Sequence, residues 1–302
     1  MIALDSRPMK RRARALGMAV FLLSLRAAGD VWVRPPRDYF LDVPPGGHFA
    51  HLDAFTLGAQ ASYEYRAHIE EDMSMLHVRA GGLLSYPYAE AGVHADVRYF
   101  LLTLGLSYGY EWIYRNLEFP PRATDRSAAA RERLEDQGQI GDQDFTFYEA
   151  RARLTVPLDS FFLLSLATLR HENRDDNSFD WLHGNVHDGG LMAKVETTLF
   201  IRDKDLGAVG PYFRYMDLPR TDPSTGTTRR ETELAYGFMA GTRVGLVKPT
   251  RGNVDLFFLM MAFRFGDEDF GLHGLREVID VPLYVLAAYR VTLALDRSEP
   301  AR

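Results

Sequence analysis

Between His171 and Asp188 the chain reads His-Glu-Asn-Arg-Asp-Asp-Asn-Ser-Phe-Asp-Trp-Leu-His-Gly-Asn-Val-His-Asp, a stretch with residue types that could do chemistry. Imidazoles suit zinc and carboxylates suit calcium, so His171, His183 and His187 are weak candidates for metal ligands. The spacing matches neither His-Glu-x-x-His nor a calcium loop with its central glycine and terminal glutamate. A solvated loop is the preferred reading, because connecting segments are normally polar. Gly266-Asp-Glu-Asp-Phe-Gly-Leu-His273 is read the same way.

For hydrolysis, Asp142, Asp144, His171 and Asp175 would have to gather at one rim, or His94 would have to act from an interior position. Such chemistry needs a base within hydrogen-bond reach of the nucleophile or water and a third group to orient it. Residue types alone do not supply that geometry, so no catalytic residue is assigned and no enzyme is expected. The chain has no cysteine, which excludes disulfides, thiolate zinc sites and cysteine nucleophiles. No cofactor motif is present, and no cofactor is expected.

The elements that carry these residues are set by composition and pattern. With 302 residues and 46% apolar content the chain is long enough to fold, and a net charge of -6 argues against nucleic acid as a partner. Lys10, Arg11, Arg12 and Arg14 precede an apolar stretch from Ala15 to Leu25, followed by Ala27, Ala28 and Gly29. A charged region, a short apolar region and small residues are the order of a secretory signal, expected over residues 1–29. The apolar stretch is too short to cross a bilayer as a helix, which takes roughly 20 residues. An N-terminal periplasmic segment is expected over 30–50, a barrel over 51–297 and a polar tail over 298–302.

The barrel expectation rests on a period of two. Phe55, Leu57, Ala59, Ala61, Tyr63 and Tyr65 alternate with Thr56, Gly58, Gln60, Ser62, Glu64 and Arg66. Successive side chains of a strand face opposite ways, so such a strand has one apolar and one polar face. The pattern recurs over 148–156, 191–202 and 233–246. These runs exceed the usual soluble strand of about 5–6 residues and suit the 9–11 of a tilted membrane crossing.

Strands are expected near 52–66, 73–86, 90–116, 143–156, 160–172, 189–202, 208–217, 231–247, 253–265 and 278–295, about ten in all. Short connections alternate with long ones at 118–141, 173–188, 218–230 and 266–277, as when tight turns face the periplasm and long loops face outward. Within 90–116 the apolar face changes phase between Tyr99 and Phe100. A β-bulge there keeps ten strands and is preferred; a hidden turn would give twelve and require another strand nearer the N-terminus. Two aromatic girdles are expected, an outer one with Tyr63, Tyr65, Tyr110, Trp112, Tyr114, Phe145, Phe147, Tyr215, Phe263 and Phe265, and an inner one with Tyr86, Tyr88, Phe161, Phe162 and Phe257.

With these strands, typified by Phe100-Leu-Leu-Thr-Leu-Gly-Leu-Ser-Tyr-Gly-Tyr110, the chain resembles bacterial outer-membrane β-barrel proteins over nearly everything after the signal. The resemblance implies an all-β, antiparallel, up-and-down transmembrane barrel in the outer membrane of a Gram-negative bacterium. It also implies outer-membrane lipid and the barrel-assembly machinery as partners.

The polar faces then direct Arg79, Asp96, Arg98, Glu149, Arg151, Arg153, Lys194, Glu196, Arg214, Glu233, Arg243, Arg264 and Arg290 into the lumen, with arginine in excess. Narrow barrels are filled by side chains, and buried charges must pair, so a packed lumen with a structural or surface-interaction role is the leading expectation. A narrow porin-like channel for small anionic solutes is the first alternative, since rings of arginine favour anions. A surface protease or lipid hydrolase is the second. A helix is also expected over Ser127–Asp136 in the longest loop, from its strong helix formers.

Overall fold

A computed structural model of the chain describes residues 46–55, 58–70, 74–117, 128–158, 161–174, 178–180, 185–203, 207–221, 226–246, 252–266 and 283–295. The expected signal at 1–29 and tail at 298–302 lie outside these residues.

Alternating side chains produce the strands β1 (Gly47–Phe55), β2 (Gly58–Glu70), β3 (Ser74–Ser85), β4 (Tyr88–Tyr99), β5 (Leu102–Asn116), β6 (Gly141–Leu158) and β7 (Phe161–Glu172). Two short strands follow, β8 (Ser178–Asp180) and β9 (Asn185–His187), then β10 (Gly190–Asp203), β11 (Gly207–Thr221), β12 (Thr228–Leu246), β13 (Gly252–Gly266) and β14 (Leu283–Ala294). One helix, α1 (Ala128–Asp136), occupies the connection after β5 where helix formers cluster. All strands except β8 and β9 join one antiparallel sheet, each paired with its neighbour in sequence order, and β14 returns to β1 with Arg290 opposite Asp53. The barrel is therefore closed, with no edge left unpaired. β8 and β9 form a separate hairpin in the loop between β7 and β10.

The barrel has twelve strands, which corrects the expected ten and agrees with the alternative. The phase slip is a turn, not a bulge: Tyr99 pairs with Leu102, and Phe100 adopts a φ of 52° between them. The stretch near 52–66 is also two strands, since Phe55 pairs with Gly58 and β1 runs back to Gly47, inside the segment expected to precede the barrel. Neither two-residue link, 56–57 or 100–101, contains glycine, proline, asparagine or aspartate, so alternation runs through the first and the second shows only as the change of phase. The two additions fall one at each end of the barrel, and every long connection still emerges at one end. That end carries 117–140, 173–189, 222–227 and 267–282 along with the short links 56–57 and 86–87. The opposite end has only short links, 71–73, 100–101, 159–160, 204–206 and 247–251, together with Gly47 and Ala294.

The extra turns reassign the aromatics. Tyr63 and Tyr65 lie toward the short-connection end, where Tyr65 pairs with His48, and Tyr86 and Tyr88 lie at the long-loop end. Tyr110, Trp112 and Tyr114 are at the long-loop end as expected, Tyr110 and Trp112 on the exposed face. Phe145, Phe147, Phe162 and Tyr88 are buried on the inner face and belong to no girdle. Tyr215 lies on β11, in the half toward the long loops. Side chains of Phe257, Phe263 and Phe265 lie outside the described residues.

β5 shows the inside-out arrangement. Leu104, Leu106, Tyr108, Tyr110 and Trp112 are all exposed, while Gly105, Ser107, Gly109 and Glu111 between them are buried. Val93 and Val97 on β4 and Tyr148 and Leu154 on β6 continue the apolar exterior. A soluble monomer rarely exposes so large a contiguous apolar surface, whereas an apolar outer wall around a polar interior is the organisation of outer-membrane barrels. The likeness read from the sequence holds for the fold.

Candidate functional site

On each strand one parity of residues points inward, and strand register decides which inward side chains meet. Asp96 on β4 lies opposite Gly105 on β5, and Gly105 lies opposite Arg151 on β6. Arg151 crosses above the glycine and grips Asp96 through Nε at 3.0 Å and Nη2 at 2.9 Å to both carboxylate oxygens. One step toward the long loops, Arg170 on β7 reaches across β6 to Glu111 on β5 at 2.6 Å and bonds Glu172 at 2.7 Å. Its guanidinium also stacks 3.7 Å from the ring centre of Phe147. Charge-assisted bonds of this kind are strong where water is excluded, and Arg170, Glu111 and Glu172 are all nearly inaccessible.

These pairs connect into one chain along the wall. His51 contacts Glu64 at 2.5 Å, Glu64 contacts His77 at 2.9 Å and is bonded by Arg66, and His77 stands 3.5 Å from Asp96. Beyond Arg151, Glu149 lies 3.8 Å from Arg151 and 3.7 Å from Arg170. Glu172 then meets Arg174 at 2.8 Å, which bonds His187 at 2.8 Å. The network thus runs from the short-connection half of β2 to the loop beyond β7. A second set on the opposite wall joins Lys194 to Glu196 and Glu196 to Tyr212, and Arg220 to Glu231 and Glu233.

The structure places Arg79, Asp96, Arg98, Glu149, Arg151, Arg153, Lys194, Glu196, Arg214 and Glu233 on inward-facing positions of their strands. Side chains of Arg243, Arg264 and Arg290 lie outside the described residues. Asp53, Glu64, Glu90, Glu111 and Glu172 also face inward, as do Arg66, Arg170 and Arg220. Glu64 stands on the polar face of the alternating run 55–66, and strand parity on β1, β4, β5 and β7 is the sequence signal for the other four carboxylates.

Among the described residues, the weak metal-ligand candidates of the loop after β7 are not brought together. His171 ends β7 on the exposed outer face, His187 is buried on β9 against Arg174 and the carbonyl of Asp188, and His183 lies outside the described residues. Of the rim set, Asp142 and Asp144 are exposed, Asp144 accepts the Tyr110 hydroxyl at 2.8 Å, and Asp175 lies outside the described residues. His94 instead faces the lumen, with Nδ1 2.7 Å from Ser107 Oγ.

A cavity of about 220 Å³ opens beside His94. Gly81 and Gly82 line it, and Gly81 lies in a row with Gly92 and Gly109 across β3, β4 and β5. A Cβ at Gly81 would stand 2.6 Å from the Ala61 carbonyl oxygen, one at Gly92 2.9 Å from that of Tyr108, and one at Gly109 2.5 Å from the Phe147 ring. On the short-connection side the cavity is bounded by Arg79, His94, Glu149 and Arg151, and on the long-loop side by Gln60, Leu83, Tyr88 and Glu90. Arg170 and Phe147 complete it from β7 and β6.

No protein-family model and no curated protein matches the chain. Solved structures do. LpxR from Salmonella typhimurium is 10% identical over 82% of this chain and 99% of its own, with a TM-score of 0.35. The translocator domain of autotransporter NalP from Neisseria meningitidis is 14% identical over 93% and 97%, with a TM-score of 0.38. The toluene transporter TodX of P. putida is 11% identical over 88% and 94%, with a TM-score of 0.41. At such identities and scores none of them assigns a role to a residue of this chain.

At the long-loop end the lumen changes character. Met192, Met216 and Leu218 pack together with no accessible surface, and Ile113, Phe145 and Tyr88 form a second buried cluster with Leu83 against it. All sit on inward-facing positions of β4, β5, β6, β10 and β11 or, for Leu83, β3. The loop is drawn onto them by Asp188 N–H donating to the Pro219 carbonyl at 3.0 Å and Asn173 N–H donating to that of Thr146 at 2.9 Å. Toward the short connections, Arg98, Arg151 and Arg153 keep partial exposure.

Proposed function

We propose that the protein is an outer-membrane β-barrel of a Gram-negative bacterium whose lumen is shut at the long-loop end, with a structural or surface-interaction role carried by the external loops. The observation that supports this most directly is the set Met192, Met216, Leu218 and Ile113, inward-facing side chains with no accessible surface. A residue lining a water-filled pore must touch water, and these touch only protein. The ion-paired wall below them adds to the barrier, because its charges are matched within the network rather than offered to passing ions.

Planar-bilayer recording of the purified, refolded chain tests the reading. No stable unitary current is expected from the native protein. Met216→Ala combined with Leu218→Ser should introduce measurable openings by removing the plug. Stable native currents would overturn the closed-lumen assignment.

The second reading is a narrow path for small anions, favoured by the partly exposed Arg98, Arg151 and Arg153 toward the short-connection end. It requires native currents with anion selectivity.

A further inference from the structure

Strand register sets four inward positions in one row across the wall: Arg98 on β4 lies opposite Thr103 on β5, Thr103 opposite Arg153 on β6, and Arg153 opposite Leu166 on β7. The row is one step nearer the short connections than Asp96, Gly105 and Arg151. Arg66, Arg151, Arg170 and Arg220 each grip a carboxylate. Arg153 does not. Among the described residues its one hydrogen bond runs from Nη2 to the Thr103 hydroxyl oxygen at 3.3 Å, and it forms no ion pair. A guanidinium carries five donors, so most of them stay uncommitted. Leu166, on its other side, offers no acceptor.

The carboxylates near this row are already taken. Asp96 is held by Arg151 through both oxygens at 2.9 Å and stands 3.5 Å from His77. Glu196, opposite Leu166 on β10, meets Lys194 at 3.1 Å and accepts the Tyr212 hydroxyl. Arg98 is engaged elsewhere, its Nε donating to the Phe100 carbonyl at 3.3 Å, so it contributes its charge to the row and not an open fork. The charged side chains that bear on Arg153 are Asp96, Arg98 and Arg151, so three guanidinium groups, its own included, stand against one carboxylate. A cation held partly out of water without a counter-charge is costly, and an anion that reaches it supplies the missing partner. Arg98, Arg151 and Arg153 are half-buried and not sealed, which leaves the row open to the lumen.

The donors narrow the class. The planar fork of a guanidinium matches the oxygens of a carboxylate or a phosphate. With positive charge in excess by more than one unit around Arg153, a doubly charged oxyanion balances the row better than a single carboxylate does. The Thr103 hydroxyl accepts from Arg153 and keeps its own hydrogen for an oxygen of the same ligand. An inward position in the lumen selects a soluble anion over a lipid headgroup.

We propose that Arg153, with the Thr103 hydroxyl beside it and Arg98 and Arg151 adding positive charge, binds a small soluble oxyanion of the phosphate class in the short-connection half of the lumen. The inference goes beyond the closed-lumen reading and does not depend on it. Binding is read by titration and closure by conductance, so either can fail alone.

The test is isothermal titration of the refolded full chain in detergent micelles with inorganic phosphate, against acetate and chloride at matched ionic strength. Saturable phosphate binding is expected, with both controls at least about ten-fold weaker. Arg153→Met should weaken phosphate binding by about ten-fold or more, while Arg153→Lys, which keeps the charge but loses the fork, should weaken it less. Arg133→Ala, on α1 and away from the row, removes the same charge and should leave binding unchanged. Urea unfolding read by gel mobility separates binding from a structural role: phosphate should raise the midpoint of the native chain and not that of Arg153→Met. Without phosphate, Arg153→Met should not lower the midpoint, since no ion pair is broken. Absence of saturable phosphate binding by the folded native chain would overturn the proposal, as would controls that bind equally well or unchanged binding in folded Arg153→Met. Both Arg153 variants lowering the midpoint without phosphate would make the residue structural and overturn it too.

Discussion

Arg151 and Asp96, separated by an entire strand, form a bidentate ion pair across Gly105, where a Cβ would stand 2.0 Å from the Asp96 carboxylate and 2.9 Å from the Arg151 side chain. The glycine therefore serves a contact between its two neighbours. Gly105→Val is expected to push the guanidinium off the carboxylate and to destabilise the barrel by about 1–3 kcal/mol, the usual range for overpacking. A urea titration of the folded barrel in micelles, read by gel mobility, measures it. Gly105→Ala should show a smaller loss in the same direction.

Removing Arg170 has a larger effect. Arg170→Ala leaves Glu111 and Glu172 buried without their shared cation, and breaking a buried pair from one side costs about 3–5 kcal/mol. The double variant Arg170→Met, Glu111→Gln should recover part of that loss, since Glu172 keeps Arg174 as its partner. A single variant no less stable than the native chain would show that the network is not dry.

Leu106 lies in the middle of β5 on the outer wall and is 68% exposed. In a soluble protein its replacement by arginine would change stability within about ±0.5 kcal/mol. Facing lipid near the midplane, Leu106→Arg is expected to cost about 2–4 kcal/mol. Equilibrium unfolding from lipid vesicles, compared with Thr103→Arg on the inner face as the lumen control, distinguishes the two environments.

Phe100 holds a φ of 52° in the two-residue link between β4 and β5, a region where residues other than glycine incur about 1–2 kcal/mol. Phe100→Gly is expected to stabilise the hairpin by up to about 1 kcal/mol, seen as a higher urea midpoint. A lower midpoint would mean that the exposed ring contributes more at the membrane boundary than the backbone gains.

Gly210 on β11 is a sharper case. A Cβ there would stand 1.9 Å from the Leu199 carbonyl oxygen on β10, a backbone atom that cannot swing aside. Gly210→Ala should reduce the yield of refolded barrel markedly while Gly141→Ala, with nothing near its Cβ, leaves it unchanged. Densitometry of folded and unfolded bands checks both.

Alternation along a strand is a local property, and the sequence by itself determined what depends on it: the all-β class, the apolar exterior, and the inward parity of residues such as Asp96, Arg151 and Glu233. Helix formers likewise placed α1 correctly, since propensity is local too. Strand number was only partly legible, because the phase slip at Phe100 left bulge and turn both open and alternation runs through 56–57, so pairing of β4 with β5 and of β1 with β2 decided it. Tertiary structure alone decided which charges meet: Arg151 and Asp96 are 55 residues apart, Arg170 and Glu111 59 apart. Register and barrel closure bring them together. The same long-range pairing sets Gly81, Gly92 and Gly109, scattered in sequence, side by side on three strands.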